Sequence, residues 1–270
     1  MRILAIFKRA EQGVQEHPVL DGPFPTPSRS ALTSRLLIRS RLEHNTFFQT
    51  EHMGTHIDAP AHFGKGSWRT QHIPIERLMG PGVIINIKDK AAKNYDYRIS
   101  LEDIEEYEKK YGRIPEGAVV LMYAGWYHKY PNKTAIFNTV QHSKPEFFHF
   151  PGFHADAVQW LINYRHISAV GGDTPSFDAG FDHTFPVHEI IGAENVIGIE
   201  NAAYLDRIPE AGSTIFIPVI KIDDGSGGPT RLLATYDDGV GTPGNSAENT
   251  VSRLFNFITM ICAYFFRSLL

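Results

Sequence analysis

The sequence predicts an α/β fold: a mixed β-sheet, curled toward a barrel, with helices on its flanks. Short apolar runs rich in β-branched residues alternate with helix-patterned segments through the middle of the chain, and strand-like runs crowd the last third. In chain order, GVIINIKD (residues 82–89) reads as a strand. Ser100 then opens a helix, SLEDIEEYEKKYG. Ser100 can cap it with Asp103 at the third position, Leu101, Ile104, Tyr107 and Tyr111 mark an apolar stripe, and Gly112 is a natural stop. AVVLMYAGW (residues 118–126) reads as a buried strand, and HADAVQWLINYR (residues 154–165) has helical spacing at Val158, Leu161, Ile162 and Tyr164. ISAVGGDTPS runs from strand into turn, and VIGIEN, TIFIPVIKI and RLLATY are three more short strands. No internal repeat or low-complexity linker divides the chain. One domain is therefore expected over residues 1–235, with roughly the first 45 residues atypical, followed by a tail over residues 236–270.

Composition narrows the class. The chain has 270 residues, 42% hydrophobic and 21% charged, which suits a chain with a substantial core and excludes a disordered one. The formal net charge is −4 with no basic stripe, so nucleic acid is not an expected partner. The single cysteine, Cys262, excludes a disulfide within the chain and a thiolate zinc site, so any metal must be held by nitrogen and oxygen. The apolar run at residues 3–7 is too short for a signal-peptide core, which leaves the cytoplasm as the default compartment. The apolar end, residues 254–270, follows Asn245, Ser246 and Ala247 in an order similar to a lipid-anchor signal. A packed amphipathic helix or an unusual chain end is favoured there, with membrane contact or an extracellular, tethered form as the alternative. Asn132-Lys133-Thr134 fits a glycosylation acceptor, a triplet that is common by chance.

One stretch is unusual: TEHMGTHIDAPAHF, residues 50–63, gathers His52, His56, Asp58 and His62, with His72 nearby. Gly54, the β-branched Thr55 and Ile57, and Pro60 oppose a helix. On an extended chain the four even positions share a face, yet a straight strand would hold His52 and Asp58 roughly 20 Å apart. If they bind together, the chain must bend. Gly54 permits one bend and the Asp-Ala-Pro segment forces another. Imidazole with carboxylate suits Zn2+, Mn2+ or Fe2+. Downstream, FPVHEIIGAENVIGIEN carries His188 and, twelve residues on, Glu200 at the end of an apolar run, where active-site residues commonly lie.

HMGTHIDAPAHF resembles the signature of the cyclase family, His-x-Gly-Thr-His-x-Asp-x-Pro-x-His, with every fixed position present. That family includes bacterial-type kynurenine formamidases and isatin hydrolases. YAGW, GGDTPSFD, FPVHEIIGAENVIGIEN and DGSGGPTR are also similar to it, so the likeness covers roughly residues 50–234. The Asp-Leu-(Ser/Thr) strand that opens relatives is not found upstream. The resemblance implies a mixed sheet forming a small barrel-like core with flanking helices, in homodimers or higher oligomers. It implies that His52, His56 and Asp58 bind one divalent ion, Zn2+ or Mn2+, and that Asp58 bridges to a second held by His188 and Glu200. It makes His62 the catalytic residue rather than a ligand.

The expected chemistry is attack of activated water on an amide carbonyl, with His62 moving protons. A small aromatic amide is the expected substrate. Hydrolysis of an aryl formamide, as in N-formylkynurenine to kynurenine and formate in tryptophan catabolism, is favoured. Opening of a cyclic amide such as isatin is the nearest alternative, and a non-catalytic metal- or ligand-binding relative is the alternative class. Phe63, Trp68 and Phe177 are expected mainly in the core, with stacking on an aryl substrate as the second reading. Asp173, Thr174 and Asp178 could orient His188 or simply bond within their own turn.

Overall fold

Runs of β-branched and aliphatic residues without a helical period form strands, and the segments with capped ends form helices. The structure, a computed structural model, describes residues 2–6 and 48–237. Its first half contains β1 (Arg2–Ile6), β2 (His56–Asp58), β3 (Met79–Asn86), α1 (Lys88–Lys93), β4 (Arg98–Ile99), α2 (Leu101–Tyr111), β5 (Val119–Tyr123) and α3 (Lys133–Phe137). There follow β6 (Gly152–Phe153), α4 (Ala155–Arg165), β7 (Ala169–Gly172), α5 (Pro186–Ala193), β8 (Ile197–Glu200), β9 (Ser213–Phe216), β10 (Gly227–Pro229) and β11 (Leu232–Tyr236). The described residues between Ile3 and Tyr236 group as one compact unit.

Among the described residues, nine strands form one sheet in the order β1-β11-β9-β3-β5-β7-β8-β2-β10, and β4 pairs with β6 apart from it. The central strands β3, β5, β7 and β8 are parallel. β9 and β11 extend one side and β2 and β10 the other, all antiparallel to their neighbours. The mixed sheet curls into a half-barrel with a few helices on its flanks. Parallel neighbours need long crossovers. Here α1 and α2 lie between β3 and β5, α3 and α4 between β5 and β7, and α5 between β7 and β8.

Both faces of the central strands are buried, so their sequences read as unbroken apolar runs. Val83, Ile85, Val120, Met122 and Val170 face the helix-side core. Their alternates Ile84, Val119, Leu121 and Ala169 face a second core with Ile57, Ile199, Ile215 and Leu232. The parallel order brings the C-terminal ends of β7 and β8 to one edge, and antiparallel β2 delivers its own residues beside β8, with His56 opposite Glu200. In open α/β sheets, ligands bind outside such strand ends.

Several expected boundaries differ. β3 ends at Asn86, not residue 89, because the Asn86 side chain accepts the Lys88 N–H and the chain turns into α1. β5 stops at Tyr123, where buried Asp173 accepts the N–H groups of Ala124 and Trp126 and so diverts the strand. β9 stops at Phe216, since Pro218 has no N–H to donate, and only a single bridge from Val219 to Thr230 continues it. α2 starts with the expected Ser100–Asp103 capping box and ends at Gly112 with φ +87°. Its stripe is narrower than expected: Ile104 and Tyr107 are buried, while Leu101 and Tyr111 are exposed. On α4, Tyr164 is exposed and Arg165 is the buried residue, held by Glu108 through two bonds of 2.6 and 2.7 Å. β1 takes a sheet edge beside β11 in the region where no family-type opening strand is found. Cys262 and residues 245–270 lie outside the described residues, and no described helix is long and apolar enough to cross a membrane.

Candidate metal centre

The bend that the first histidine cluster requires is present. Gly54 has φ +64°, a left-handed conformation that suits glycine. Residues His56–Asp58 then run extended as β2, and Pro60 opens a 3-10 turn over Pro60–His62. The Thr55 hydroxyl donates to the Asn201 carbonyl at 2.6 Å, and the Ala59 N–H to the Ser226 carbonyl at 2.9 Å, which ties both ends of β2 down. His52 consequently folds back over Asp58, with Nδ1 2.7 Å from Oδ1. Gly227 makes room: a Cβ there would lie 2.5 Å from His52 Cε1.

The distant pair arrives from the strand ends. Asp178, in the turn after β7, accepts from the backbone N–H of Val187 and His188 at 2.8 and 3.1 Å and contacts His188 Nδ1 at 2.6 Å. A carboxylate on Nδ1 leaves Nε2 free to face a metal. His188 Nε2 lies 3.1 Å from Asp58 Oδ2 and 3.4 Å from Glu200 Oε1. His56 is fixed the same way, with Nδ1 3.0 Å from the Gly54 carbonyl. Its Nε2 lies 3.4 Å from both Asp58 Oδ1 and Glu200 Oε2. Two ligand groups result: His52, His56 and Asp58, and Asp58, His62 and His188, each with its donor atoms within 4.8 Å of one another. Asp58 belongs to both.

The electrostatics fit a cation. His56 Nε2 and Asp58 Oδ2 are buried without a hydrogen bond of acceptable geometry, although ligand-type atoms surround them. Leaving such groups unmade costs about 1–3 kcal/mol each. Burial drives the Glu200 carboxyl up, and the Asp58 charge drives it further. Burial alone would raise Asp58, yet contacts with His188, His52 and His56 hold it well below the usual carboxylate range. Burial disfavours charge on His56, but Asp58 and Glu200 outweigh it and lift the group to about 9. His188 is lifted against its own burial to about 11 by Asp178, Asp58 and Glu200. Protons thus take up charge that a divalent ion would otherwise supply, and the nitrogen–oxygen donor set suits such an ion.

His62 is the exposed member, stacked on His52 with ring centroids 4.1 Å apart and 6.0 Å from His188. Its pKa is lowered, by partial burial first and then by the neighbouring histidines against the pull of Asp58. Phe63 is not in the core as expected; it is exposed, 4.6 Å from His188 and 5.6 Å from exposed Phe185. Phe177 is buried and packs on His188 at 4.0 Å, and Trp68 packs against the second core. His72 is exposed on its own 3-10 turn and joins neither ligand group. Of the three turn residues, Asp178 orients His188. Asp173 serves the backbone after β5, and the Thr174 hydroxyl donates to Ser176 O. Sequence reasoning did not single out Glu51 and Ser226: the Ser226 hydroxyl donates to Glu51 at 2.6 Å and meets His52 Nε2 at 3.0 Å. A carboxylate adjoining the histidine run and a serine in DGSGGPTR were the available signals.

The curled mixed sheet gathers four imidazoles around Asp58, with Glu200 3.4 Å from two of them though in neither ligand group, and its relatives are metal-dependent hydrolases, the class to which this chain belongs. The chain belongs to the cyclase family: residues 10–179 match the family described as "Putative cyclase". It is 29% identical to an isatin hydrolase of Roseibium aggregatum over 68% of this chain and 71% of that protein. It is 25% identical to a kynurenine formamidase of Bacillus cereus over 67% of this chain and 75% of that one. Among solved structures, isatin hydrolase A from Labrenzia aggregata is similar with a TM-score of 0.71 at 28% identity, covering 86% of this chain and 93% of that one.

Proposed function

We propose that this chain cleaves the C–N bond of a small aryl formamide of the N-formylkynurenine type, giving the amine and formate, a step of tryptophan breakdown. Asp58 carries the reading: it is buried, it is common to two groups of histidine donors, and one of its oxygens lacks a hydrogen bond. We assign His52, His56, Asp58, His188 and Glu200 to hold Zn2+ or Mn2+, two ions with Asp58 between them, and His62 to proton transfer. Divalent ions of this kind bring the pKa of water down to near 7 and offset charge developing on a carbonyl oxygen.

The chain's own groups do the rest. His62, at the rim and biased toward its neutral form, takes the proton from the attacking water. As the water oxygen bonds to the carbonyl carbon and the C–N bond breaks, the same imidazole returns that proton to the leaving nitrogen. Asp178 keeps His188 oriented, and Phe63 with Phe185 offers an aromatic edge for the aryl ring. The same attack opens a cyclic amide, and the 29% identity to the Roseibium isatin hydrolase favours isatin as the second reading.

The test is the protein loaded with Zn2+ or Mn2+ and assayed in parallel on N-formylkynurenine and isatin by absorbance. Faster turnover of N-formylkynurenine is expected. Faster turnover of isatin selects the second reading, and turnover of neither by protein with bound metal would sink both.

A further inference from the structure

Glu51 has no place in the chemistry above, yet it ends a short chain of contacts that leads to a ligand. Its Oε2 accepts both from the Ser226 backbone N–H at 3.0 Å and from the Ser226 hydroxyl at 2.6 Å. The hydroxyl has one hydrogen, and the short contact to a carboxylate claims it. Toward His52 Nε2, 3.0 Å away, the same oxygen can then only accept. Nε2 must carry a proton, so Nδ1 is the His52 nitrogen left to bind a metal. Nδ1 is the nitrogen 2.7 Å from Asp58 Oδ1. Without a metal a proton on Nδ1 would bridge that contact; with one, Nδ1 and Oδ1 would be two ligands on the same ion. Without Glu51 the serine hydroxyl would be free to turn and donate to Nε2, moving the histidine proton to Nδ1 and blocking it as a ligand.

From these contacts we propose that Glu51, acting through the Ser226 hydroxyl, is a positioning residue that selects the His52 tautomer presenting Nδ1 to the metal. The proposal rests on the metal reading of the site, but its test separates the two. Glu51 touches neither substrate nor ion, and its influence is carried by one proton on one ring.

The experiment uses the full chain labelled with 15N-histidine, as wild type, Glu51→Ala and Glu51→Gln. Long-range proton–nitrogen correlation spectra of the metal-free and Zn2+-loaded forms locate the His52 proton, and competition with a chelator gives the Zn2+ affinity. In wild type Nε2 is expected to carry a proton in both forms, and Nδ1 to lose any proton of its own when Zn2+ binds. In Glu51→Ala a population with Nε2 bare and the proton on Nδ1 alone should appear without metal, and Zn2+ affinity should fall by about 10–100-fold, the usual effect of losing a group that orients a ligand. Glu51→Gln keeps an acceptor oxygen for Ser226 and should hold the proton on Nε2 with most of the affinity. Wild type with a bare Nε2 overturns the proposal. So does Glu51→Ala with wild-type affinity, or with weakened affinity and an unmoved proton. Wild type that binds no Zn2+ yet keeps its proton on Nε2 ends the metal reading and leaves the relay standing.

Discussion

Asp58 is the residue on which most depends. It is buried, it contacts three histidines, and burial of a carboxylate is tolerated only when it is compensated. Asp58→Ala is expected to strip the metal, and elemental analysis should find the variant empty; full occupancy would contradict the shared-ligand role. His62 differs in kind, being exposed and outermost. His62→Ala is expected to keep its metal and lose at least about a hundredfold in kcat/KM, the usual worth of proton transfer by a placed side chain. Retained activity would move the proton-transfer role elsewhere. The four positions 52, 56, 58 and 62 were legible as a set because their chemistry is concentrated in eleven residues. Glu51 and Ser226 were not, because a carboxylate 175 residues from a serine shows its pairing only after both are folded.

At the scale of elements, the bend at Gly54 and the register between β2 and β8 do what sequence spacing cannot. Register sets His56 against Glu200, and a slip of one residue would turn His56 and Asp58 away from the site. Gly227 on β10 is part of the same arrangement. Gly227→Ala places a methyl 2.5 Å from His52 Cε1 and 2.6 Å from the Ile57 carbonyl oxygen, so it should displace His52, weaken metal binding and lower the stability of the β2–β10 pairing. Unchanged affinity by chelator competition would show that His52 can relocate. A control lies on α2, remote from the site. Ser100→Ala removes one arm of the capping box and should cost about 0.5–2 kcal/mol in denaturant unfolding with no loss of metal. The sequence disclosed that helix start and stop because capping is local. It misplaced the ends of β3, β5 and β9, because those ends are decided by the Asn86 side chain, by Asp173 from the turn after β7, and by Pro218.

For the whole molecule, the site couples stability to pH and to metal. Against their own burial, the surrounding carboxylates push His56 up to about 9 and His188 up to about 11 from the ordinary 6.5, so the metal-free fold binds protons that the unfolded chain releases. That stabilisation is complete below pH 6.5 and is lost as pH rises through about 9 and then about 11. Metal-free protein should therefore melt at progressively lower temperature above pH 6.5. Metal-loaded protein, whose imidazoles are already deprotonated, should not show this decline. Free Zn2+ or Mn2+ at about a hundred times its Kd should add about 2.7 kcal/mol of stability. A metal-free Tm that is flat between pH 6.5 and 9 would contradict the proton-filled site.

By itself the sequence determined the α/β class, the helix boundaries set by local caps, and the family, because each is written in adjacent residues: period, capping groups and an eleven-residue ligand signature. Tertiary structure alone decided that Asp178 serves His188 while Asp173 serves a strand end, that Phe63 lies at the rim, and that Glu51 reaches His52 through Ser226. Those outcomes depend on which strand ends meet at one edge of a curled sheet. That is fixed by pairing between segments far apart in the chain, where no local pattern carries the information.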